Sequence, residues 1–211
     1  DFRGKILEEG FEGMLLRMQS NIGTVNTEVF VPLVGRFNVS NLLLIYACGV
    51  ALGIEPLEVL RILSSLPAVN GRFETIRSDK GWTAVVDYAH TPDAVENVLK
   101  TINEIVNSNA TKQSRPAQVI TVVGCGGNRD KGKRPIMARI AFEQSTVLIL
   151  TSDNPRDEEP MDIINDILIG VKKADGAYVT VPDRKEAIKY CMEHAQDGDI
   201  IVLAGKGHED Y

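Results

Sequence analysis

A chain of 211 residues with a hydrophobic share of 44% and a charged share of 25% has the make-up of a soluble globular protein with room for one large core or two small ones. A net charge of -6, with no stretch that concentrates Lys and Arg, excludes a general nucleic-acid binder, and no apolar run approaches the length of a membrane span. Cys48, Cys125 and Cys191 are far apart and odd in number, and His90, His194 and His208 are isolated, so neither set has metal-site spacing; the thiols read as reduced residues of a cytosolic protein.

Taken in chain order, "GMLLRMQS" (13–20) and "TEVFVPLVG" (27–35) read as strands joined by a turn over residues 21–27, with Gly23 as its breaker. "NVSN" (38–41) opens an apolar helix with Ser40 and Asn41 as cap candidates. A second helix runs from Glu55-Pro56 to about Ser65, where Pro56 suits the first helical position. Two strands and two helices are thin for an independent core, so the chain is expected to begin inside a larger domain. The Pro-, Asn- and Gly-rich stretch "PAVNG" (67–71) marks the boundary, giving domains of residues 1–68 and 69–211.

Beyond the boundary strand and helix alternate. The strand-like runs "WTAVVDY", "AQVITVVG", "TVLILTSD", "AYVTV" and "DIIVLAG" are mostly continuous apolar stretches, the mark of strands covered on both faces. Helical patterns fall at residues 93–106, 135–144, 161–171 and 184–194, and "NSNATKQSRP" (107–116) reads as a polar surface loop. The predicted fold class is α/β, an open, Rossmann-like, doubly wound and mostly parallel sheet.

In such sheets ligands gather at the carboxyl ends of the strands. Four charged, Gly- or Pro-marked loops fall there: residues 87–92, 124–135, 152–156 and 205–209. Gly127-x4-Gly132-Lys133 has most of a phosphate-loop pattern, but Arg134 follows where a Ser or Thr hydroxyl would ligate magnesium. It is no dinucleotide fingerprint either, since Arg129 stands where the third glycine belongs. What survives is a loop of small residues whose N–H groups could face an anion, with Arg129, Lys131, Lys133 and Arg134 adding positive charge; a tight turn with a solvated basic loop accounts for the spacing equally well. In Asp153-Asn154-Pro155-Arg156 the guanidinium can grip a carboxylate and the Asp an ammonium, which suits a zwitterionic amino acid, although a turn with a local ion pair reads the same way. His208-Glu209 is a base pair or simply a polar turn.

Taken together, "GRFNVSN" (35–41), "NGRFE" (70–74), "DYAHTPDA" (87–94), "GCGGNRDKGKRP" (124–135), "DNPR" (153–156) and "GKGHE" (205–209) resemble the motifs of the Mur ligase family, in the family's order over nearly the whole chain. Within it they resemble the members that add meso-diaminopimelate. The resemblance implies an ATP- and magnesium-dependent, three-domain cytoplasmic ligase of peptidoglycan precursor synthesis. It would join meso-diaminopimelate to UDP-MurNAc-L-Ala-D-Glu through an acyl phosphate. Residues 1–68 would be the end of the central ATP-binding domain and residues 69–211 most of the amino-acid-binding domain.

The resemblance further implies that Arg129, Asp153, Asn154, Pro155, Arg156, Gly205 and Glu209 hold meso-diaminopimelate. Asn38 and Asn41 would line the adenine end of the nucleotide site, Arg72 and Asp87 would lie near its ribose and phosphates, and His90, in the same loop as Asp87, is grouped with these nucleotide-binding residues with its role left open. Asn128 stands where relatives carry Asp. The family's Walker A sequence and carbamylated lysine are not in this chain, which also stops at Tyr211 before the usual closing residues. No catalytic residue and no metal ligand is therefore expected here, the remaining domains of the same chain would be the partners, and the piece alone should not hydrolyse ATP. Two other readings stay open: a lysine-adding member of the family, and a non-catalytic nucleotide-binding module with 126–134 as a degenerate phosphate loop.

Overall fold

The computed structural model describes residues 1–22, 25–110, 115–171 and 176–209. The chain divides into two compact units, Asp1–Val69 and Asn70–Tyr211.

In the first unit β1 (Phe2–Gly10), β2 (Gly13–Ser20) and β3 (Val25–Val31) form an antiparallel meander. Alternation along β2 turns Met14, Leu16 and Met18 to one buried face, where they pack with Val39, Leu42 and Tyr46 of α1 (Arg36–Ala51) and Val59, Leu60 and Leu63 of α2 (Pro56–Ser65). β1 is absent from the sequence-based expectation. Its run "FRGKILEEG" is half-exposed and charge-rich, as befits an edge strand that must not recruit another chain. α1 starts four residues earlier than its expected caps: Gly35 at φ 98 precedes it, no side chain caps it, and Ser40 and Asn41 lie inside the helix. α2 agrees, with Pro56 in the first turn and the Glu55 carboxylate accepting from Glu58 N–H at 2.9 Å. The expected breaker Gly23 lies outside the described residues.

The second unit holds one six-stranded sheet in the order β4-β5-β9-β6-β7-β8. β5 (Thr83–Asp87), β9 (Ile200–Ala204), β6 (Val119–Val123), β7 (Val147–Leu150) and β8 (Ala177–Thr180) run parallel, which is the predicted class. β4 (Glu74–Arg77) is an antiparallel edge that sequence missed, being only four residues long, two half-exposed and two exposed. All five residues of β6 are buried, as befits a run of β-branched residues, four of them valine or isoleucine, in a strand covered on both sides. One face packs Ala84, Ile120, Val122, Ile149 and Ile201 against Ala187 and Cys191 of α6 (Arg184–His194). α3 (Pro92–Asn109), α4 (Lys133–Glu143) and α5 (Pro160–Leu168) contribute their own buried stripes, such as Val95, Leu99 and Ile102 on α3. α3 extends through Asn109, so the first residues of the expected 107–116 loop are helix, while 111–114 lie outside the described residues. No helix among the described residues is long and apolar enough to cross a membrane.

Parallel strands bring every β-to-α loop to one edge. The chain leaves β5 at Tyr88, β6 at Gly124, β7 at Thr151 and β9 at Gly205 on that edge, so the four singled-out loops meet there.

Candidate amino-acid site

The four loops enclose a cleft of about 420 Å3, within the size range of small-molecule sites. Six of the seven residues expected to hold an amino acid line it: Arg129, Asp153, Asn154, Arg156, Gly205 and Glu209. Pro155 does not; it faces a second recess of about 290 Å3 with Arg184 and Lys206. His90, expected near a nucleotide, lines the cleft, as do Gly126 and Lys133 of the stretch read as a degenerate phosphate loop, and Tyr88, Thr91 and Asp130, for which no role was expected. Tyr88, Thr91 and Asp130 were legible only as members of the motifs, with no chemistry of their own to single them out.

The glycine-rich loop does not behave as an anion cradle. Its Gly127, Asn128 and Gly132 N–H groups donate to the carbonyl of Asn154 and the carboxylates of Glu158 and Asp130. Its basic residues are mostly spent as well. Arg134 is fully buried: Nη1 donates to Glu158 at 3.0 Å and Asp166 at 2.8 Å, and Nη2 to Glu158 at 2.8 Å and the Gly126 carbonyl at 3.3 Å. Lys131 pairs with Glu158 at 3.1 Å, and Lys133 Nζ donates to the His90 carbonyl at 2.7 Å. Of the four, only Arg129 keeps a guanidinium with no hydrogen-bond or ion-pair partner among the described residues. The degenerate phosphate-loop reading loses its donors.

What the glycines do instead is admit the loop after β7. A Cβ on Gly127 would sit 1.8 Å from the Pro155 carbonyl oxygen, while one on Gly126 would meet Arg156 Nη1 at 2.8 Å. Arg156 itself has φ 50, and its Nη1 donates to the Gly127 carbonyl at 2.7 Å. Asn154 closes the turn, its side-chain oxygen accepting from Arg156 N–H at 3.2 Å, and Asp153 accepts from Asn154 N–H at 2.8 Å. Gly127→Ala is therefore expected to destabilise the protein by about 1–3 kcal/mol, because backbone rather than a flexible side chain must give way. Urea denaturation measures this, and a change below about 0.5 kcal/mol would be at odds with the packing.

Glu158 fastens this arrangement. Hydrogen bonds from Arg134 above all, then from the Asn128 N–H and Lys131, hold its carboxyl down at about 2. A carboxyl depressed in the folded state stabilises fully above its ordinary value near 4.5 and loses that contribution as pH falls toward 2. Melting temperature should accordingly fall more between pH 4.5 and 2 in the wild type than in Glu158→Gln. Parallel curves for the two proteins would dismiss Glu158 as the cause.

Burial pushes the Cys125 thiol up to about 11, which leaves it protonated and unreactive beneath the cleft. Asp87 is also buried; desolvation raises its carboxyl, opposed by the N–H groups of Phe73 and Ala89, each donating at 2.8 Å. Its two oxygens thus organise the backbone that presents Arg72 and His90. The Arg72 guanidinium lies 4.5 Å from the centre of the Tyr88 ring. Asn38 and Asn41 belong to the first unit, where Asn38 donates to the Val34 carbonyl at 2.7 Å and accepts from the exposed Asn41 at 3.3 Å.

The family model "Mur ligase, glutamate ligase domain" matches residues 71–207. The chain is 55% identical over 212 residues to the UDP-N-acetylmuramoyl-L-alanyl-D-glutamate--2,6-diaminopimelate ligase of Phocaeicola vulgatus, covering 100% of this chain and 41% of that protein. The enzyme of the same name from Geobacillus thermodenitrificans is 45% identical over 199 residues, 94% of this chain and 38% of its own length. The chain thus spans about two fifths of these relatives. A solved structure bearing that enzyme name matches with a TM-score of 0.66 at 39% identity, over 100% of this chain and 41% of the other. The UDP-N-acetylmuramate-alanine ligase of Thermotoga maritima matches with a TM-score of 0.74 at 19% identity, over 98% and 42% of the two chains, a likeness of fold alone.

Proposed function

The chain belongs to the Mur ligase family, and from that premise we propose that it supplies the amino-acid pocket of a ligase that adds meso-diaminopimelate to UDP-MurNAc-L-Ala-D-Glu. One observation carries the choice of amino acid. Setting aside Lys133, whose Nζ donates to the His90 carbonyl, and Asp130, which accepts from the Gly132 N–H, the cleft is lined by two cationic side chains, Arg129 and Arg156, and two anionic ones, Asp153 and Glu209. A balanced set suits a ligand with two carboxylates and two ammonium groups. L-lysine, with two ammonium groups and one carboxylate, would leave a cation unanswered, and a desolvated charge without a partner costs affinity.

In this reading Arg129 and Arg156 take the carboxylates, Asp153 and Glu209 the ammonium groups, and the Asn154-Pro155 turn and Gly205 shape the walls. Holding an amine in place converts a bimolecular attack on the acyl phosphate into an oriented one. ATP would activate the D-glutamate carboxylate, with Asn38 and Asn41 toward the adenine and Arg72, Asp87 and His90 toward the ribose and phosphates. Among the described residues no group of three or more His, Cys, Asp or Glu side chains is placed to hold a metal. UDP-sugar and ATP as substrates imply a cytoplasmic setting.

The first unit is proposed as the end of the ATP-binding domain. Its α1 buries Val39, Leu42 and Tyr46 yet leaves Leu44 65% and Ile45 50% exposed. A helix that is apolar all round calls for cover on both sides, which preceding residues of the same protein would provide.

The test is to incubate the full-length protein with ATP, magnesium and UDP-MurNAc-L-Ala-D-Glu, offering meso-diaminopimelate and L-lysine separately. Mass spectrometry should find the diaminopimelate adduct at much the higher rate. Preference for lysine, or no adduct with either, would overturn the assignment.

A further inference from the structure

Tyr88 is the residue on which the parts of the site converge, and neither the motifs nor the fold gives it a role. It stands between the end of β5 and the start of α3, half-buried in the cleft wall. Its hydroxyl donates to Glu209 Oε1 at 2.9 Å, across 121 residues of sequence. Arg72 lies over its ring at 4.5 Å, His90 meets the ring at 4.6 Å in an edge arrangement, and His208 lies 6.0 Å away.

Each partner is itself held in place. The Phe73 N–H on Asp87 and the Gly71 N–H on Glu74 fix the turn that carries Arg72. Gly71 and Gly207, at φ 67 and 52, let the turn approach the segment that carries Glu209: a Cβ on Gly71 would lie 2.3 Å from His208 N, and one on Gly207 2.9 Å from Tyr88 Cβ. The phenol therefore sits at a fixed junction rather than on a loose surface.

We propose that Tyr88 is a positioning residue that couples the amino-acid cleft to the nucleotide side of the site, its hydroxyl setting Glu209 and its ring carrying Arg72. This rests on the diaminopimelate ligase reading above. The two contacts use different parts of one side chain, so they can be removed one at a time. The hydroxyl fixes one Glu209 oxygen and thereby the orientation of the carboxylate at the cleft wall. Hydrogen bonding to Glu209 also raises the phenol's pKa, which keeps it a donor. The ring face attracts the guanidinium through its quadrupole and holds it at the cleft's border.

The experiment is steady-state kinetics on the full-length protein, comparing wild type, Tyr88→Phe and Tyr88→Leu, with melting curves to confirm that each is folded. Tyr88→Phe keeps the ring and loses only the bond to Glu209, so KM for meso-diaminopimelate should rise roughly tenfold while KM for ATP stays within about twofold. Tyr88→Leu should raise both. In a Glu209→Ala background Tyr88→Phe should add nothing, since its partner is gone.

An unchanged diaminopimelate KM in Tyr88→Phe, equal changes in both KM values, or a full additional loss on top of Glu209→Ala would each overturn the coupling while leaving the ligase assignment standing. A wild-type protein that forms no diaminopimelate adduct would overturn the ligase assignment, and the coupling with it.

Discussion

Arg156→Ala is expected to lower kcat/KM for meso-diaminopimelate by roughly 10- to 150-fold, the equivalent of about 1.5–3 kcal/mol for one charge-assisted contact. The guanidinium reaches the cleft from a turn in a conformation that side chains rarely adopt, φ 50, and one of its nitrogens is committed to the Gly127 carbonyl at 2.7 Å. That commitment aims the remaining donors rather than consuming them, and a planar fork with a fixed tilt suits a carboxylate. L-lysine, offering one carboxylate fewer, should lose much less, so the variant's preference between the two amino acids should shrink. Arg156→Lys separates charge from shape: a point charge on a flexible stem restores attraction but not the bidentate grip, and should recover only part of the loss. Equal losses for both amino acids would mean that Arg156 supports the loop rather than selects the ligand.

Arg134→Ala is expected to have the largest effect on stability, lowering the melting temperature by roughly 6–12 °C. The figure follows from about 3 kcal/mol for removing one partner of a buried ion pair and about 2–4 °C per kcal/mol in a protein of this size. The Arg134 side chain is fully enclosed and joins three segments: the glycine loop through the Gly126 carbonyl, the turn after β7 through Glu158, and α5 through Asp166. Without it Glu158 and Asp166 lose their shared cation, although Lys131 and the Asn128 N–H still reach Glu158. Since Glu158 and Arg156 belong to the same turn, meso-diaminopimelate affinity should fall together with stability. A melting temperature within about 2 °C of wild type would refute the claim that this cluster holds the cleft's floor. The same cluster explains why Arg134 takes the place of a phosphate-loop hydroxyl: it points into the protein, where no ligand reaches.

Much of this was legible in the sequence, and the reasons are physical. Short, nearly continuous runs of β-branched residues such as "VITVV", alternating with helical patterns, point to strands covered on both faces, and the parallel sheet with the common edge of its loops follows from that alternation. The edge strands β1 and β4 were not legible, because charge and exposure, which protect an edge, erase the hydrophobic signal. The charge of the glycine loop misled for a related reason. Sequence counts Arg129, Lys131, Lys133 and Arg134 alike, whereas folding spends three of them on Glu158, Asp166 and the His90 carbonyl. Tyr88 was invisible because its partners, Arg72 and Glu209, lie far from each other along the chain and meet only through the sheet.

The most direct test of the central claim is ligand-observed NMR on this 211-residue chain with meso-diaminopimelate and L-lysine, each repeated on Arg156→Ala. The cleft described here should give saturation transfer to meso-diaminopimelate that disappears in the variant, with lysine silent throughout. Equal binding of the two amino acids to the wild-type chain would contradict the selection of a second carboxylate by Arg156.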